Sequence, residues 1–154
     1  MNIQEQQQKM QEILKDTVDY YREDPEGRRA VDKNGDCEYT TEDGRHCAIG
    51  RYMRPEFLDT EWKENHGVGV HGLSSNVDYY LKHEVRGLDM DFWRDLQDIH
   101  DVVGNWCRGS LKTVTHMGRR REVLFTEPSL GLTDIGKERY VDMQDKITRG
   151  EYDD

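Results

Sequence analysis

The chain has 154 residues, 34% of them hydrophobic and 35% charged, with a formal net charge of −10. That is enough for one domain with a modest core, whose apolar bulk leans on eight tyrosines and three tryptophans. The negative charge disfavours wrapping a nucleic acid or an anionic membrane over a large face, and it suits a basic protein partner.

Residues 2–23 carry Ile3, Met10, Ile13, Leu14, Val18 and Tyr21 at three-to-four spacing, which predicts an amphipathic helix. Pro25 ends it, and a further helical turn is expected around Arg28 and Arg29. Residues 37–52, "CEYTTEDGRHCAIGRY", read as a hairpin turning at Thr41–Gly44 with Gly44 left-handed. The side-chain period of two then puts Cys37 and Cys47 on the same ribbon face. Residues 54–75 are irregular. A helix is expected over 76–86, with Val77, Tyr80, Leu81 and Val85 inward.

Asp89 caps the next predicted helix, which runs on through Trp106. Its stripe of Trp93, Leu96, Ile99, Val103 and Trp106 is the strongest core signal in the chain. "SLKTVTHMGRRREVLFT" predicts two strands with Arg119, Arg120 and Arg121 at the tip. A last helix follows from a Thr133 cap, with Ile135, Tyr140, Met143 and Ile147 inward. "GEYDD" reads as an acidic tail. The expected architecture is a single α+β domain over 1–154: a core of helices on a small antiparallel hairpin sheet (1–109), a C-terminal hairpin plus helix (110–149), and the tail (150–154).

Two segments carry a family resemblance: "CEY" with "GRHCAIGRY" at 37–52, and "DLQDIHD" at 95–101. In that order and at that distance they resemble a family of small proteins encoded by tailed bacteriophages and some bacteria. The resemblance covers roughly residues 25–107. It implies a phage accessory protein acting in the host cytoplasm, and it brings no assigned catalytic residues with it; the expected role is non-enzymatic binding, and inhibition, of a host protein.

Three chemistries compete with plain binding. Cys37, Cys47 and Cys107, with His100, are candidate metal ligands, but nine intervening residues between the first two is not the usual zinc knuckle spacing. Two buried thiols that need no cofactor are the favoured alternative. Cys47 is a candidate nucleophile and His100 its candidate base in a cysteine- or metal-dependent hydrolase. Consecutive helical residues point about 100° apart, so Asp101 is not expected to orient His100. The arginine tip resembles the wing of a winged-helix DNA-binding protein, but the helix before it is lined by Asp91, Asp95, Asp98 and Asp101, which phosphate repels. Those carboxylates are instead the candidate surface for a basic partner, with Arg119, Arg120 and Arg121 as the rival contact.

No apolar run is long enough to span a bilayer. "MNIQEQQQKM" lacks the basic and apolar regions of a signal peptide, so the expected compartment is the cytoplasm.

Overall fold

The computed structural model describes residues 2–30, 41, 44–58, 77–102, 105–106, 110–116, 119–125 and 131–152. Helix α1 (Ile3–Glu23) starts at a reciprocal cap: Glu5 N–H donates to Asn2 Oδ1 at 2.8 Å, and Asn2 N–H donates to Glu5 Oε2 at 3.3 Å. Its inner face buries Met10, Ile13, Leu14, Val18 and Tyr21. Asp24 ends α1 and caps the short helix α2 (Pro25–Arg28), with Pro25 in the first turn, where its missing N–H goes unmissed.

The chain then turns at Gly44, whose φ of +83° is left-handed as the sequence requires, and Thr41 N–H donates to Arg45 O across the turn at 2.8 Å. His46 then stands as an isolated bridge residue, and Ala48 and Ile49 lead into 3₁₀ turns at Gly50–Tyr52 and Pro55–Phe57, so past Cys47 the chain is not the expected strand. Cys37, and with it the same-face expectation, lies outside the described residues.

The helix expected over 76–86 is broken into α3 (Val77–Tyr80) and a 3₁₀ turn at His83–Val85. Between them Leu81 pairs with Met53 in an antiparallel bridge, while Arg54 N–H donates to Tyr80 O and Lys82 N–H to Tyr52 O at 2.8 and 2.9 Å. Backbone groups that would continue a helix are bonded to another segment, and that tertiary ladder overrides local propensity. Val77, Leu81 and Val85 are still buried.

Helix α4 (Met90–Asp101) is capped by Asp89 and buries Phe92, Trp93, Leu96, Gln97, Ile99 and His100. It stops five residues short of Trp106. Asn105 Nδ2 and Trp106 Nε1 reach back to Ile99 O at 3.2 and 2.9 Å, satisfying a carbonyl of the last turn with side-chain donors. Val103 lies outside the described residues.

Helix α5 (Asp134–Thr148), capped by Thr133, packs on both α1 and α4. Gly136 allows the approach of its first turn, because a Cβ there would stand 2.2 Å from Asn105 O. This phase buries Met143 and Ile147 but leaves Ile135 55% exposed, against the expectation that it faces inward. The turn after α5 is part of the core: Tyr152 is buried against Phe92.

The described strands, β1 (Ser110–His116) and β2 (Arg119–Phe125), pair antiparallel with each other, with Val114 opposite Arg121 and His116 opposite Arg119. They do not make the expected α+β layer. The molecule is mainly helical, and the packing that builds its core is helix on helix, α1 with α4 and α5. Trp93, Leu96 and Ile99 are buried with Ile13 and Leu14 as the periodicity implies, but the turn through Ile49 and Met53 shares that core in place of a sheet.

Candidate functional site

Both sequence-level catalytic candidates, His100 and Cys47, lie in the interior with no exposed surface. His100 sits in the last turn of α4. The Ala30 amide donates to its Nε2 at 3.1 Å, so Nε2 is the acceptor and Nδ1 carries the proton. Nδ1–H then donates to Asp101 Oδ1 at 2.7 Å. This overturns the expectation that Asp101 cannot orient His100: at the end of the helix the Asp101 side chain folds back over the preceding residue. The same Oδ1 accepts from Gln97 Nε2 at 2.7 Å, and Gln97 Oε1 accepts from the Ile49 amide at 3.1 Å.

The carbonyl ends of α4 are held as well. Arg29 Nε donates to His100 O at 2.7 Å and Arg29 Nη2 to Asp101 O at 2.9 Å, placing a cation where the helix dipole favours one. The Tyr21 ring meets the imidazole edge to face at 4.8 Å, and the Tyr21 hydroxyl donates to His46 O. The lattice thus ties α1, the end of α2 and the Cys47–Ile49 turn to one end of α4.

Burial pushes the His100 pKa below its ordinary 6.5; the hydrogen bond and charge of Asp101 pull the other way, and Arg29 adds to the lowering. Both ring nitrogens are engaged, so neither is left to take a proton from a thiol. Cys47 for its part accepts the Gly50 amide on Sγ at 3.2 Å, which closes the turn into the 3₁₀ segment. The arrangement positions backbone and side chains; it does not assemble a nucleophile with its base.

Gln97, Arg29 and Ala30 were not picked out as partners by sequence reasoning. The available signal was Gln97 itself, a polar residue in phase with Trp93, Leu96 and His100 on the buried side of an amphipathic helix. A polar group there needs an internal partner.

The acidic series along α4 divides in two. Asp91 points out, its side chain 68% exposed, and pairs with Arg94 at 3.4 Å; Asp98 is exposed too. Asp95 is a structural group: its Oδ2 accepts from Lys146 Nζ at 2.9 Å and from the Tyr152 hydroxyl at 2.5 Å. Burial and this bond to Asp95 push the Tyr152 hydroxyl pKa well above its ordinary value.

Arg119, Arg120 and Arg121 open β2. In the register of the ribbon they lie opposite His116, Thr115 and Val114. Cys107 and Cys37 lie outside the described residues. Among the described residues no three His, Cys, Asp or Glu side chains are placed to share a metal ion, and no helix is long and apolar enough to cross a membrane.

Comparison with known proteins adds no family to this geometry: no protein-family model, no curated protein and no solved structure matches the chain.

Proposed function

We propose that the chain is a non-enzymatic, acidic binding protein: a phage accessory protein of the host cytoplasm, as the resemblance implies, which by our own reading docks on a basic host protein and inhibits it. The observation that carries this reading is the division of α4. Its inward chemistry, His100 with Gln97 and Asp101, is used in holding the fold, while Asp91 and Asp98 face solvent on a chain of net charge −10. Exposed carboxylates contribute little to stability, so selection on association is free to place them. Opposite charges across an interface raise the association rate more than they lower the dissociation rate.

The test uses the double variant Asp91→Asn/Asp98→Asn. It folds like the parent and associates more slowly with the basic host protein that the parent captures. The difference shrinks as salt rises, because exposed charges are screened over about 8 Å at physiological ionic strength. The reading fails if this variant binds normally while alanine at Arg119, Arg120 and Arg121 abolishes capture. That result would place the contact on the ribbon and make the partner acidic.

A further inference from the structure

A cleft of about 550 Å³ opens beside the Tyr52–Lys82 backbone bridge, lined among the described residues by Arg51, Lys82, His46, Tyr20, Met53 and Leu58. That volume is in the range of small-molecule sites. Its polar lining runs against the charge of the molecule, with two obligate cations and a histidine on a chain of net charge −10.

Only one of the two cations is paired. The Lys82 ammonium forms no ion pair with any described residue. Arg51 is anchored on one side only: Nη2 bonds Asp16 at 3.0 Å, and the guanidinium lies 4.0 Å from the Tyr20 ring centroid. Arg51 Nη1 and His46 Nδ1 are buried with no hydrogen-bond partner. Buried nitrogens with unmet bonding capacity are costly, and an acceptor that reached them would remove that cost.

We propose that this cleft binds a small organic anion, a phosphate monoester with an apolar body. Arginine and lysine together fit a phosphate better than a single carboxylate, the one through a planar fork and the other as a point charge. Met53 and Leu58 supply the apolar wall that inorganic phosphate does not need.

The experiment is a titration of the full chain with phenyl phosphate, inorganic phosphate and phenol, followed by calorimetry and by amide shifts around Arg51 and Lys82. Phenyl phosphate saturates one site with a Kd below about 1 mM, and both other probes bind at least about tenfold more weakly. Lys82→Gln, a change at a partly exposed side chain, keeps the fold and loses at least about tenfold in affinity, the effect of one charge-assisted hydrogen bond. No saturation by phenyl phosphate, or a Lys82→Gln protein that binds as tightly as the parent, overturns the proposal. Inorganic phosphate binding as tightly as phenyl phosphate overturns the apolar body.

Discussion

Two regions of this molecule are built from the same side-chain types to opposite effect. Around the end of α4, His100, Arg29 and Tyr21 are all buried or nearly so, and the two nitrogens of His100, the Arg29 guanidinium and the Tyr21 hydroxyl each have a partner. Around the cleft, His46 and Arg51 each keep a buried nitrogen with no partner, and Lys82 has no counter-ion among the described residues. The first set is satisfied within the chain and so specifies the fold. The second retains bonding capacity that no described residue meets. A histidine or arginine is therefore a functional candidate by virtue of what its polar atoms still lack, and residue type alone does not separate the two cases.

The comparison can be broken most severely at its apolar frame. Leu96 is fully buried in the core cluster that includes Ile13, Leu14 and Ile49, so Leu96→Ala should cost about 2–5 kcal/mol in chemical denaturation. A loss under about 1 kcal/mol would show that the frame is not core. Removing a member of the lattice should cost somewhat less. Gln97→Ala leaves the Ile49 amide without its acceptor, and about 1–3 kcal/mol should be lost. No loss there would mean that the lattice is incidental.

Acidity probes the same lattice without mutation. The folded His100 pKa lies below its unfolded value of 6.5, so the native state binds fewer protons than the unfolded state in that window. His100 therefore contributes stability that is present above 6.5 and is lost as pH falls toward the folded pKa. The slope reaches at most about 1.4 kcal/mol per pH unit for one proton. His100→Gln should flatten that part of the stability profile, and an unchanged slope would place its origin elsewhere.

The smallest effects sharpen the division within the acidic series. Asp95→Asn weakens a partly exposed pair with Lys146 and a bond from buried Tyr152, and should cost about 1 kcal/mol. Asp91→Asn should stay within about 0.5 kcal/mol of the parent. Equal losses would mean that Asp91 is as structural as Asp95.

Much of the helical frame was legible in the residues. Asp89 and Thr133 announced the starts of α4 and α5, and three-to-four spacing placed Met10, Leu14, Trp93 and Leu96 in the core. The architecture was not. The 37–52 segment carries good turn chemistry at Gly44, but strand formation needs a partner ladder, and after Cys47 the chain takes 3₁₀ turns. The Leu81 break in the 76–86 segment and the early end of α4 share a feature: backbone groups there bond partners distant in sequence, Met53 and Arg29, which periodicity does not encode. At the candidate site, His100 and Cys47 were legible as chemistry, but Ala30 and Gly50 were not legible as their partners, because each contributes only a backbone amide. Any residue supplies an amide, so such partners leave no mark in composition.

The account stands most directly on Cys47. In a protein carrying Cys37→Ser and Cys107→Ser, alkylation at neutral pH reads this thiol alone. Cys47 is fully buried and bonded to the Gly50 amide, so it should react only as fast as the fold opens, and denaturant should speed the reaction greatly. Fast stoichiometric alkylation of the native protein, slowed by His100→Gln, would contradict the account and make the pair a catalytic one.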